Sequence, residues 1–405
     1  MRQLVKIISI VFLCCIILFV FPDNIRGYSN EESSSYPMKR FGHNMIYDLG
    51  NNRIILFGGL TIINSEYTYL SDTWIFDCIT NTWGEKSHIV HPMGRFNFGM
   101  VYNSIKQEIL LFGGSSYTGE LDDTWIYDCN TDTWFQRHPE VSPPSRSDPV
   151  MYFDPLYEKT ILFGGLEDID LYNDTWIYDS STNGWTEMHL QIAPTSRYGH
   201  RMVYNSNNQT GILFGGRAGE VTNDLWSYDY GTNSWKEINQ SQGKKPKTRY
   251  WHNMVYDSKN HKTIVFGGRE NESIFTSIFN DTWIYDPELN EWEEVGSETA
   301  PTGRCSSSST YTSFNKNLVL FGGISRIPVT ESTILNDTWV FSCENNRWKK
   351  IWNLNHSSST ISYTSNLDGS LSNSSTTVAS SSGFTVLIIL FLLPLSLIKL
   401  IRRTS

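Results

Sequence analysis

The feature that most constrains this chain is a unit repeated six times. Twelve of its 14 Trp fall in pairs nine residues apart: Trp74/Trp83, Trp125/Trp134, Trp176/Trp185, Trp226/Trp235, Trp283/Trp292 and Trp339/Trp348. Ahead of each pair stands a Gly-Gly that ends an apolar run, the first at Gly58-Gly59 and the last at Gly322-Gly323. Ahead of each Gly pair stands Pro-x-x-Arg, ending in Arg40, Arg95, Arg146, Arg197, Arg249 and Arg304. The Trp pairs recur at intervals of 50 to 57 residues. An aromatic share of 14% follows from this repeat and needs no other explanation.

A period near 50 residues is that of a propeller blade. Within each unit four short segments read as strands, rich in β-branched and aromatic residues and bounded by Gly, Asn, Asp and Ser. The first follows the Arg, as at residues 41–47, and the second is the apolar run, as at 54–57. The third is Asp-Thr-Trp-Ile-Tyr-Asp, as at 174–179, and the fourth starts at the second Trp. A lone four-stranded sheet cannot bury both of its faces, but six stacked around an axis can, with Trp and Tyr filling the widening gaps between them. The sequence therefore predicts an all-β, six-bladed β-propeller with four antiparallel strands per blade, the blades lying at about 37–88, 89–139, 140–190, 191–240, 241–297 and 298–352. All six units run in frame from first to fourth strand, so the ring is expected to close by packing, with residues 28–37 adding at most an edge contact.

The apolar run with Gly-Gly, the Tyr-Asp and the Trp spacing resemble the kelch repeat over residues 37–352. That resemblance implies a propeller used mostly for protein contacts, with a minority of members acting on sugars or other small molecules. Fold of this kind does not fix function.

The two ends read differently. Residues 1–27 have a basic start, a 15-residue apolar run at 7–21 and a polar break, the order of a secretory signal peptide. Residues 353–382 hold 16 Ser or Thr and read as a flexible stalk. Residues 384–401 form an apolar segment near the short limit for a membrane span, a predicted C-terminal transmembrane helix, and Arg402 and Arg403 in the tail 402–405 favour a cytoplasmic end. The expected arrangement is a single-pass cell-surface protein with the propeller outside. The chain has 32 Lys+Arg against 42 Asp+Glu, a net charge of −10, and the two ends hold six of the basic residues and one acidic one. So acidic a middle section argues against nucleic acid as a partner.

The loops between the Gly pair and the following Asp count 12, 8, 8, 7, 12 and 13 residues in blades one to six. Ring closure makes blades five, six and one neighbours, so the three long loops, 269–280, 324–336 and 60–71, form one rim sector. Long loops on a rigid scaffold are where recognition sits. Tyr67, Tyr69, Arg269, Phe275, Phe279 and Arg326 supply the aromatic and Arg types that anchor interfaces, and are the expected ligand-binding residues. The six motif Arg are matched by Asp72, Asp123, Asp174, Asp224, Asp281 and Asp337, each two residues before the first Trp of its pair. Features required in every blade read as scaffold, so Arg–Asp pairing is expected, because a buried Arg needs a carboxylate.

His43, His200 and His252 recur three residues after the motif Arg and read as packed structural residues, since no metal-like set of ligands accompanies them. Cys78, Cys129 and Cys343 share one position in separate blades, too far apart to bridge, and Cys305 has no obvious mate. No cofactor and no metal are expected. Among the Asn-x-Ser/Thr sites, Asn271, Asn355 and Asn373 are the most accessible glycan acceptors. The function expected is a non-catalytic protein- or glycan-binding module for adhesion or recognition. The alternative is a sugar-active enzyme, an oxidase or epimerase, of the kind some kelch proteins resemble.

Overall fold

A computed structural model of the chain describes residues 35–240, 243–271 and 278–351. The chain divides into two units, Met1–His356 and Ser357–Ser405, and every described residue lies in the first. The expected signal peptide, stalk, transmembrane segment and tail lie outside the described residues. Among the described residues no helix is long and apolar enough to cross a membrane.

Six inner strands form the wall of a central channel: Asn44–Asp48, Gly99–Asn103, Val150–Asp154, Arg201–Asn205, Asn253–Asp257 and Ser308–Thr312. Each touches the next, and the last touches the first, so the ring is closed. From each inner strand the chain steps outward in sequence order through three more antiparallel strands. In blade one these are Arg53–Phe57, Thr73–Asp77 and Thr82–Lys86. Among the described residues no blade borrows a strand from another, and the final strand Arg347–Ile351 pairs with Thr338–Ser342 of its own blade; most of the expected edge segment 28–37 lies outside them.

The inner strands start later than the residue pattern predicts, at Asn44 rather than at residue 41. The cause is the residue two beyond each motif Arg, which takes a left-handed conformation: Gly42, Asn97, Asp148, Gly199, Trp251 and Ser306 all have φ between 52° and 64°. The backbone turns there, so Phe41 makes only an isolated bridge to Leu60 before the strand begins.

Burial lies between blades. Ile55 and Phe57 of blade one pack with Phe98, Leu111 and Trp134 of blade two, and the same pattern continues around the ring. Val319 and Phe321 of blade six pack with Trp83 and Phe76 of blade one, which seals the seam. The two Trp of each pair do different work. The second Trp bolts its blade to the preceding one: Trp134 Nε1 donates to Thr73 at 3.1 Å, Trp185 to Thr124 at 3.1 Å, and Trp83 crosses the seam to Thr338 at 3.2 Å. Blade four carries Leu225 at the Thr position, and there Gln240 accepts from Trp292 instead.

The first Trp belongs to a clamp within its blade. Arg40 is fully buried and donates from Nη1 and Nη2 to the two Asp72 oxygens, each at 2.7 Å, from Nη1 to the Gly58 carbonyl, and from Nε to Met38 O. Trp74 Nε1 donates to the same carboxylate at 2.7 Å. The bidentate pair recurs as Arg95–Asp123, Arg146–Asp174, Arg197–Asp224, Arg249–Asp281 and Arg304–Asp337. Burial pushes the Asp72, Asp224 and Asp337 carboxyls up, but the facing Arg charge and the hydrogen bonds from Arg and Trp outweigh it and hold all three below the usual range.

The backbone of each clamp Arg joins the preceding blade. Gly59 N donates to Arg95 O at 2.8 Å, and across the seam Gly323 N donates to Arg40 O at 2.9 Å. A Cβ on Gly58 would meet Arg95 O at 2.8 Å, so glycine is required where the second strand ends against the next blade. Cys78, Cys129, Cys305 and Cys343 are buried free thiols.

Candidate functional site

In every blade the loop after the second strand and the linker into the first emerge on one face. At its centre the left-handed residues are linked by backbone hydrogen bonds in a chain that runs from Gly199 through Trp251, Ser306, Gly42 and Asn97 to Asp148. Gly42 N donates to Ser306 O at 2.8 Å, Asn97 N to Gly42 O at 2.7 Å, and Asp148 N to Asn97 O at 2.6 Å. Trp251 N donates to Gly199 O at 2.7 Å and Ser306 N to Trp251 O at 3.0 Å. This annulus narrows the channel mouth, and Trp251 spans it: the indole lies against Gly199 of blade four and its Nε1 donates to Asp148 of blade three at 3.0 Å. Asn97 Nδ2 donates to the same Asp148 oxygen at 3.2 Å.

Around the mouth the long loops gather into an apolar sub-core. Leu60 and Ile62 of blade one pack with Ile324 and Ile334 of blade six, over Phe41 and Cys305, with Ile278 of blade five and Trp251 alongside. Lys39 Nζ meets Glu331 at 2.8 Å across the seam. Residues 60–71 are a hairpin, Leu60–Ile63 with Glu66–Tyr69, and the blade-six loop ends in a short 3-10 turn at Glu331–Thr333. The three long loops thus do meet, as a wall packed on its own core.

The residues singled out on those loops have different fates. Tyr67 is 58% exposed, and Arg326 is exposed. Tyr69 is half-buried, its ring against Phe96 at 5.9 Å. Arg269 lies inside the wall, only 5% exposed, with its guanidinium 5.5 Å from the Tyr250 ring and its Nε donating to Asn271 O. Phe279 carries the Arg249 guanidinium on its ring face at 4.5 Å, as Tyr172 carries that of Arg146 at 4.0 Å. Phe279 therefore serves the clamp. Asn271 is exposed, while Phe275, Asn355 and Asn373 lie outside the described residues.

Loop length carries no signal of what lies beside the wall. Exposed apolar side chains on this face run from blade one through blade three: Tyr67, Ile89 and Val90, Tyr117 at 73%, Val141 and Ile169 at 90%. Loops 60–71, 115–122 and 166–173 add Glu66, Glu120, Asp122, Glu167, Asp168 and Asp170 and hold no Lys or Arg. Glu167 is fixed by hydrogen bonds from Ser145 and Tyr172. The result is an apolar, acidic strip that starts at the wall.

The remaining polar groups are quiet. Burial, then the nearby Arg charges, holds His43, His200 and His252 well below the ordinary imidazole range, and each packs edge-on to a Phe ring. Among the described residues no group of three or more His, Cys, Asp or Glu is placed to hold a metal ion. Burial pushes the Cys305 thiol up to about 12.

The family model of the KLHDC2/KLHL20/DRC7 kelch-repeats domain matches residues 18–208 and 156–366, most of the chain. The chain belongs to this kelch-repeat family. Among curated proteins, it is 22% identical over 334 residues to Mei4-dependent protein 6 of Schizosaccharomyces pombe, covering 74% of this chain and 47% of the relative. It is 23% identical over 297 residues to human Kelch domain-containing protein 1, covering 64% of this chain and 69% of the relative. A third match, to mouse Multiple epidermal growth factor-like domains protein 8, is 24% identical over 278 residues and spans 10% of that protein. The chain thus spans less than half of the first of these relatives and a tenth of the third.

Proposed function

We propose that this kelch propeller is a non-catalytic protein-binding module that engages its partner with the loop face, along the strip from the blade-one wall to blade three. The observation that carries this reading is the run of exposed Tyr67, Tyr117 and Ile169 on ordered hairpins. Exposed aromatic and apolar side chains on a rigid frame lose little entropy on binding and make effective anchors. The carboxylates beside them favour a partner surface that offers Lys or Arg next to apolar groups. Arg326 and Tyr69 stand at the wall end of this strip, and the buried Arg269 and the clamp-bound Phe279 support it from within.

The signal-like residues 1–27 and the apolar residues 384–401 support display of the propeller outside the cell on a membrane anchor, with residues 353–382 as spacer. A glycan ligand is the competing outcome. The test is capture from extracts and on glycan arrays with the full chain, beside a variant carrying Tyr67→Ser, Tyr117→Ser and Ile169→Ser. A protein held by the wild type and lost by the folded variant supports the reading. Retention of that protein by the variant, or capture of glycans alone, refutes it.

A further inference from the structure

The central channel holds a cavity of about 520 Å³ walled by all six inner strands. Gly42, Asn97 and Asp148 of the annulus line its end toward the loop face. At the other end it is lined by the turns after the inner strands, at Leu49, Ser104, Pro155, Ser206, Ser258 and Ser313. Two charged side chains line it, Arg201 and Asp148.

Arg201 is unlike the six clamp arginines. They are scaffold, present in every blade and bound to a carboxylate. The positions equivalent to Arg201, at the start of the other inner strands, are Asn44, Gly99, Val150, Asn253 and Ser308, so this cation occurs once in six. Its hydrogen bond goes from Nη1 to the carbonyl of the adjacent His200 at 3.0 Å, which leaves most of the five guanidinium donors to the channel. Among the described residues no carboxylate lies within 4 Å of it. Asp148, whose Oδ2 accepts from Trp251 and Asn97, acts on it through space. Burial draws the Arg201 pKa down, the cost of a cation held at a wall without a close counter-charge. Ser309 lines the same cavity with a hydroxyl that has no protein partner.

We propose that the channel is a binding site for a small anion, a carboxylate or a phosphate, held by the Arg201 guanidinium. A planar guanidinium with free donors matches either group in bidentate fashion, and a desolvated site strengthens the pair. The cavity size suits a metabolite rather than a polymer. None of the residues that line it belongs to the loop strip, so this site stands independently of the protein-binding reading.

The test is calorimetric titration of the full chain, purified in mild detergent, with oxalate in one arm and inorganic phosphate in the other, at constant ionic strength set with chloride. Saturable binding of one anion, weakened about tenfold or more in Arg201→Gln and unchanged in Arg347→Gln at an exposed site on the outermost strand of blade six, is the expected result. Arg201→Lys keeps the charge but loses the fork, and is expected to bind more weakly than wild type and more tightly than Arg201→Gln. Denaturation midpoints establish that each variant is folded, and Arg201→Lys decides the matter if Arg201→Gln is not. Absence of saturation by either anion in the wild type, or wild-type binding in the Arg201 variants, overturns the proposal.

Discussion

Replacing Asp72 by Asn tests the clamp at its most demanding point, the blade that closes the ring. The Asp72 carboxylate accepts from Arg40 Nη1 and Nη2 and from Trp74 Nε1, all at 2.7 Å. Asn keeps the volume and one acceptor oxygen, but turns an NH₂ toward a guanidinium that is fully buried. Removing one partner of a buried ion pair costs about 3–5 kcal/mol, because the other charge stays buried without compensation. The Asp72 side chain retains 21% exposure, which lets water reach the pair, so the lower end, about 3 kcal/mol, is expected. The assay is urea denaturation of wild type and variant side by side across pH. The Asp72 pKa is lowered in the folded chain, so its stabilising contribution is complete above the unfolded value and is lost as pH falls through the folded one. The gap between the two proteins should be constant from about pH 5 to 8 and close below about pH 4. Equal midpoints at pH 7 would refute the claim that this pair stabilises blade one.

Asp148→Asn should have the opposite sign. Burial lifts the Asp148 carboxyl to about 6 from 3.8, so the folded chain binds that proton more tightly and stability falls as pH rises between those values. Asn retains the oxygen that both Trp251 and Asn97 use, and should raise stability at pH 8 by up to about 3 kcal/mol while flattening that fall, read from denaturation midpoints against pH. Gly114→Ala, at φ +98° with its Cβ 2.7 Å from that of Phe98, should cost about 1–3 kcal/mol or more, whereas Gly296→Ala, with nothing within 4 Å, should be near neutral in the same melt. Cys78, Cys129, Cys305 and Cys343 are buried, with burial raising each thiol pKa, so thiol reagents should modify them at pH 8 only after denaturant is added.

The blade count was legible in the sequence because every blade must solve the same packing problem, and Trp, Gly-Gly and Arg each answer one part of it. The start of the inner strands was not, since Asn97, Asp148, Trp251 and Ser306 adopt a left-handed turn that their residue types do not demand. Part of the wall was readable by alignment of the repeats. Phe279 falls where Leu70, Leu121, Tyr172, Thr222 and Leu335 stand, which marks a largely packed position, whereas Arg269 falls where Leu60, Ser115, Leu166, Arg217 and Ile324 stand, a mixture that does not announce its burial. Trp251 also left a signal, a Trp outside the pairs at a position held elsewhere by Gly or smaller polar residues. The strip through Tyr117 and Ile169 left none, because exposure depends on which neighbours the ring brings alongside. The sequence reading passes over Arg201, because only the fold shows that the clamp carboxylates are bound by the motif Arg and that this side chain lines the channel.

The most direct measurement of the central claim is site-specific photocrosslinking from two faces of the full chain. A photoreactive residue at Tyr67 or Tyr117 samples the loop strip, and one at Leu156 or Leu289, both exposed, samples the turns on the opposite face. The account predicts a defined protein adduct from the first pair and none from the second. The same adduct from both faces, or an adduct from Leu156 or Leu289 alone, would contradict it.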